Sequence, residues 1–286
     1  MSSEYNDPIG VLRDKGFDIH FQSHAKSILY GEFLSELEEL AESLLKINLP
    51  ITEIIGGGGG EAKFTQRLRK DLASKSWRKH NFIVEKIVDG VPKESTSHEV
   101  DHVRYVTDTG TLACEIEWNN KDPFFDRDLE NFKRLHAEGA ISAGIVITRG
   151  QSLQDSLEAA VERFATLHNI NSFDDLEAMG YPPTTTRKRK AVLDRVNRER
   201  NPVSFSKAWA SNFTRDKYGT ATTHWNKLQD RIKRGVGNPC PLLFIGIPAS
   251  IIEFDNQHID PLDDETAEPV ADVAITVQGL FDEINT

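Results

Sequence analysis

Two alternating runs joined by a turn constrain this chain more than anything else in it. They are EVDHVRYVTDTG, beginning at Glu99, and TLACEIEW, beginning at Thr111. Val100, Val103 and Tyr105 are interleaved with polar residues as far as the turn Thr107-Asp108-Thr109-Gly110, and the second run returns with strand periodicity, so the pair is a β-hairpin. DPFFDRDLENFKRLHAEG follows, with Asp122 at the N-cap, Pro123 at the first helical position, Gly139 past the end, and Phe125, Leu129, Phe132 and Leu135 as the inner stripe. SAGIVITRG is then a short, continuously apolar segment, as a centrally buried strand requires. The order β-β-α-β predicts an α/β fold, a mixed central sheet with a helix across one face.

Other segments extend this plan. YGEFLSELEELAESLLK, 30–46, places Leu34, Leu37, Leu40, Leu44 and Leu45 at helical spacing. The glycine run 56–60 lacks the Lys-Ser/Thr of a phosphate-binding loop and reads as a flexible, closely approached connection. A second helix is expected from about Glu61, with Phe64, Leu68 and Leu72 inward, and NFIVEKIVDG is expected as a strand. Residues 151–236 are helix-rich, polar and basic, with a loop at GYPPTTTRKRK, and CPLLFIGIPASIIEF returns an apolar strand to the sheet. We find no internal repeat. The organisation expected is one domain over 1–286: a core of about 30–150 and 238–255, a helical insertion at 151–237 and an acidic tail at 256–286.

Glu115 and Glu117 are the chemical anomaly. Strand periodicity sends both to one face while Cys114, Ile116 and Trp118 take the other. Like charges this close resist burial unless something compensates them. A divalent cation would, since a hard ion accepts several carboxylate oxygens. The hairpin brings Asp101 alongside, so Asp101, Glu115 and Glu117 make a site for Mg²⁺, which activates water and stabilises charge on a phosphate under attack. The bland alternative is a solvated sheet face, or one glutamate paired with Arg127 or Lys133. HEVDH at 98–102 matches the H-E-x-x-H zinc pattern, but that pattern needs a helix, and on a strand the two histidines stand roughly 13 Å apart. Asn119, Asn120 and Lys121, at the start of the following helix, suit hydrogen bonding to base edges, or ordinary turn and capping chemistry.

Charge adds a partner. The chain carries a net charge of −11, yet between Arg187 and Arg234 there are 14 lysines and arginines against 4 acids. That stretch, opening with Arg187, Lys188, Arg189 and Lys190, is either a solvated helical face or a surface for phosphates. Residues 251–286 hold ten acids and no lysine or arginine, which fits a solubilising tail or a competitor with DNA for the basic stretch. No run is long enough for a membrane span and the N-terminus has no signal-peptide pattern, so a cytoplasmic location is expected, with Cys114 and Cys240 as reduced, buried thiols.

The block from Val100 to Gly150, with NPCPLLFIGIP and the two helical segments before the core, resembles the PD-(D/E)xK nucleases, and within them the BglII/BstYI/BamHI group of type II restriction endonucleases. The likeness runs in patches, leaving about 155–225 unmatched. It implies that Asp101 and Glu115 are metal ligands and that Glu117 stands in the place of the general motif's lysine, binding or orienting the nucleophilic water. It further implies that Asn119 and Asn120 fall where bases are read, that Arg149 of ITRG sits near DNA, and that Glu61 supplies a further carboxylate. Asp108 remains a rival to Asp101 should the hairpin register differ. The implied activity is Mg²⁺-dependent hydrolysis of double-stranded DNA at a short palindrome by a homodimer, partnered by a methyltransferase. The alternatives are a non-catalytic DNA-binding protein, or a repair or modification-dependent nuclease on the same core.

Overall fold

The computed structural model describes residues 7–56 and 61–254. In chain order the elements are α1 (Pro8–Asp14), β1 (Asp18–Gln22), α2 (Ala25–Glu32), α3 (Leu34–Lys46), β2 (Leu49–Pro50), α4 (Ile51–Ile55), α5 (Lys63–Ser74), β3 (Arg78–Val88), β4 (Val91–Val106), β5 (Gly110–Glu117), α6 (Pro123–Ala137), β6 (Ala143–Arg149), α7 (Gln151–Leu167), α8 (Phe173–Ala178), α9 (Thr186–Val196), α10 (Phe205–Lys217), α11 (Trp225–Lys233), β7 (Leu242–Ile247) and β8 (Ile252–Glu253). Six strands form one mixed sheet in the order β1-β7-β6-β5-β4-β3. The strands β5, β6 and β7 run parallel, while β1, β4 and β3 are antiparallel to their neighbours.

Both faces of the sheet are covered, which is why β6 and β7 consist of buried residues alone. On one face Leu112, Cys114, Ile145, Ile147, Leu243 and Ile245 pack with apolar residues of α1 to α5, α7 and α10. On the other, Ala113, Val146, Leu242 and Phe244 meet Phe125, Leu129 and Phe132 of α6 and Trp225 and Leu228 of α11. Alternation along each strand thus divides the apolar side chains between two cores.

The hairpin, the Pro-started helix and the central strand lie where the sequence puts them. The turn is closed by Asp108 at φ 60 and Gly110 at φ 152, conformations that short polar residues and glycine tolerate. Several expectations need correction. The helix expected over 30–46 is two helices broken at Phe33 (φ −130, ψ 33), whose buried ring takes a core position while Leu45 stays exposed. Helix α5 starts at Lys63, leaving Glu61 in the connection before it. Arg187 to Lys190 lie on α9, not in a loop. Asp122 makes no side-chain cap bond, because Lys227 and Arg231 engage its carboxylate. The sheet also reaches back to β1, before the expected core boundary, because Asp18–Gln22 pairs with β7. Cys114 and Cys240 are buried and free. Gly57 to Gly60 and the acidic segment from 255 onward lie outside the described residues.

Gly144 is fixed by close approach. A Cβ there would lie 2.5 Å from Cδ2 of Phe132 and 2.8 Å from Cδ2 of Leu242, so glycine lets α6 settle onto β6. Gly144→Ala should cost about 1–3 kcal/mol through overpacking, read as a lowered midpoint in urea unfolding.

Candidate active site

Strand β5 delivers Glu115 and Glu117 to the face covered by α6, and both are 3% exposed. Asp128, on the buried side of α6, is fully covered. His98 enters from β4. Ligand atoms of His98, Glu115 and Asp128 all lie within 4.8 Å of one another, with His98 Nε2 at 3.8 Å from Glu115 Oε1. Asn131 of α6 holds the imidazole, its Nδ2 at 2.8 Å from Nδ1. The amide of Asn120 donates to Glu117 Oε2 at 2.8 Å. Arg127 donates to Asp128 Oδ1 through Nε at 2.8 Å and stands 3.7 Å from Glu117 Oε1. Among the described residues, Asp128 Oδ2 is buried with no hydrogen-bond partner.

Three buried carboxylates thus share one half-exposed guanidinium. Burial, and then the charges of Asp101, Asp128 and Glu117, holds the Glu115 carboxyl well above the usual range. Burial first and Asp128 second push Glu117 up to about 8. Burial lowers His98, keeping its imidazole neutral near pH 7. Oxygen donors in excess, one buried oxygen without a partner, and a neutral nitrogen beside them fit a divalent cation, whose charge would cancel the repulsion that raises these groups.

The expected residues divide. Asp101 lies one position beyond the pair His102–Cys114, exposed at the edge of the group, and its charge raises both Glu115 and Glu61. Glu61 is exposed and 3.4 Å from Arg69, so it borders the site through Asp101 and does not enter the buried trio. Asp108 sits in the turn, away from these groups' charge neighbours. Of the paired alternatives, Arg127 is near Glu117, while Lys133 bonds Glu130 at 2.9 Å. The zinc pattern fails as expected: His98 faces α6, while His102 lies opposite Cys114 and takes the other face.

Asn119 and Asn120 stand at the rim. The backbone of Asn120 exchanges bonds with Thr223, whose N–H reaches the Asn120 carbonyl at 2.8 Å. Lys121 is exposed and bridged to Thr222. Arg149 does not face solvent at all. It is fully buried, donating to Asn119 Oδ1 at 3.2 Å, Thr222 Oγ1 at 2.6 Å and the Thr223 carbonyl at 2.8 Å, with its guanidinium 4.8 Å from the Tyr218 ring. Burial pulls its pKa down to about 10, still charged at neutral pH. On α9, Arg187 and Lys190 are exposed, Lys188 lies 3.5 Å from Asp216, and Arg189 pairs with Glu177.

Sequence reasoning missed Asp128 and His98. Asp128 had a signal, because it shares helical spacing with Phe125, Leu129 and Phe132, an acid set into an apolar stripe. His98 alternates with Val100 on β4, which already places it on the buried side.

Six strands carry carboxylates gathered at the end of a parallel strand, against the helix that follows it. Residues 17–247 match the family described as restriction endonuclease BglII/BglIII, and the chain belongs to that family. Its substrate is accordingly DNA. The match runs from β1 to β7, through the helical stretch that the resemblance left uncovered. No individual curated protein matches the chain. Among the described residues, no helix is long and apolar enough to cross a membrane.

Two outcomes follow from the electrostatics. For Glu115 and Glu117 the folded pKa lies above the unfolded one, so their contribution to stability is complete below the ordinary value of 4.5 and is lost as pH rises, for Glu117 through about 8. Metal-free protein should lose stability over that window, Glu115→Gln/Glu117→Gln should flatten the loss, and a divalent cation should offset it, all read by denaturant midpoints at successive pH values. Arg149→Met should destabilise by about 2–4 kcal/mol through lost buried hydrogen bonds, while leaving the slope of log affinity against log salt unchanged. A phosphate contact would instead shift that slope by about 0.9.

Proposed function

We propose that the protein is a type II restriction endonuclease, a Mg²⁺-dependent enzyme that hydrolyses double-stranded DNA at a short palindromic site. The observation that carries this is the set of buried, undercompensated carboxylates Glu115, Glu117 and Asp128, with Asp101 at its edge, in a chain of a restriction-endonuclease family. Asp101 and Glu115 would hold Mg²⁺, with Asp128 and His98 within reach of the same space. When bound, the cation supplies charge stabilisation at the phosphate and lowers the pKa of water.

The chain's own groups do the rest. Glu117, oriented by the Asn120 amide, positions the attacking water and takes its proton as the P–O bond to the 3′ oxygen breaks. Arg127 balances the remaining negative charge on the protein side. Lys121 and the exposed cations Arg187, Lys188 and Lys190 meet backbone phosphates, and Asn119 and Asn120 face base edges. One chain carries one such site and cuts one strand, so cutting both strands of a palindrome calls for a homodimer with the two-fold symmetry of its target. Such an activity in the cytoplasm also calls for a methyltransferase that protects the host's own sites.

Unmethylated phage DNA should give discrete fragments with Mg²⁺ and none with Ca²⁺ or EDTA, read on a gel. Glu115→Ala should cut at below about one-hundredth of the wild-type rate, more than the roughly 10–100-fold effect of groups that only support a ligand, and should retain DNA binding in a mobility-shift assay. Binding without cutting in Mg²⁺ would overturn the proposal in favour of a non-catalytic binder.

A further inference from the structure

On the α10 side of the sheet lies a cavity of about 310 Å³ whose wall includes Asn119, two residues beyond Glu117. Its sides are aromatic: Phe173 from α8, Tyr181 from the following connection, and Trp209 and Phe213 from α10. Tyr181 and Trp209 stand perpendicular, ring centres 5.7 Å apart. At one side Lys217, its charge weakened by burial to a pKa of about 8, donates to the backbone carbonyls of Ile54 and Gly56 and so joins α10 to the end of α4. At the mouth, Lys188 and Asp216 pair at 3.5 Å.

Two amides reach this space. Asn212 is 7% exposed, lines the cavity, and makes no hydrogen bond to another described residue. Its amide nitrogen and oxygen are not sealed off, so they are open to a ligand with matching donors and acceptors. Asn119 accepts the guanidinium of Arg149 at Oδ1, which leaves its N–H groups to donate elsewhere. The volume lies at the small end of ligand pockets. Aromatic walls with two amides at the edge suit a flat heterocycle that stacks on its faces and hydrogen-bonds along its rim.

We propose that this cavity receives a nucleobase swung out of the duplex next to the cleaved phosphodiester, with Asn212 and Asn119 bonding to its edge. The inference rests on the nuclease function proposed above. It commits to a base still attached to the duplex, because the cavity wall joins Asn119, just beyond the acidic strand, to Lys188 of the basic helix α9, while a free nucleotide offers the same chemistry from another source.

The test begins by sequencing the ends of DNA cut by the wild-type enzyme. Duplexes of that sequence are then made with 2-aminopurine or pyrrolocytosine at one position at a time and bound to Glu115→Gln protein in Ca²⁺. One position should show a several-fold rise in fluorescence, since an unstacked analogue is no longer quenched. Asn212→Leu, combined with Glu115→Gln, should abolish the rise without lowering the melting temperature, and alone should slow cutting at least tenfold. Tyr181→Leu, at a half-buried wall position, provides a second variant with the same expected loss. An enzyme that cuts at a defined site but gives no rise at any position overturns the pocket and leaves the nuclease standing. Saturable binding of nucleoside 5′-monophosphates, blocked by Asn212→Leu, without a duplex signal overturns the duplex origin. Absence of any DNA cutting overturns the nuclease reading and the pocket together.

Discussion

Everything at the working end of this molecule depends on negative charge kept out of water. Glu115 and Glu117 are covered by α6, and that helix adds Asp128 to the same space when it could have placed a leucine there. Burial and mutual repulsion raise the pKa of both glutamates, and Arg127, half in solvent, offsets only part of it. A core of this kind is worse for folding than an apolar one, which is what marks it as a site and not as packing. The apolar stripe of α6 and the close seat at Gly144 hold the helix against this repulsion.

A second charge organises the surroundings from the opposite side. Arg149, at the end of β6, is wholly covered and reaches Asn119, Thr222 and Thr223 together. The segment after the acidic strand is also zipped to 221–223 through backbone bonds at Asn120 and Asp122. Arg231 of α11 ties to Asp126 at 2.6 Å and to Asp122 at the start of α6. The acidic strand, the helix behind it and the helical stretch are thereby fastened at several points around one edge of the sheet.

Much of this was legible before any coordinates. Alternation, a Gly-terminated turn and a Pro-started helix are local signals, and each produced the element it predicts. The paired glutamates were legible as a conflict between pattern and charge. What escaped notice depends on distant partners. Strand β1 is five residues with half-buried side chains throughout, and its assignment comes from pairing with β7, more than two hundred residues away. Phe33 breaks a helix that its flanking sequence continues, because the ring is needed in the core. Arg149 follows an apolar strand and precedes a glycine, which resembles a phosphate-contacting position, and only the fold reveals that 222–223 closes over it. Asp128 carries its signal in the helical period of α6 and not in the strand alternation that reveals the two glutamates.

The cross-tie at Arg149 couples distant parts of the chain. Asn119 is held by a guanidinium whose other hydrogen bonds go to a segment about a hundred residues further along the chain. Any shift of the helical stretch would therefore unseat a side chain at the rim of the acids. Residues 118–120, 149 and 222–223 thus behave as one mechanical unit, although the chain draws them from three separate segments.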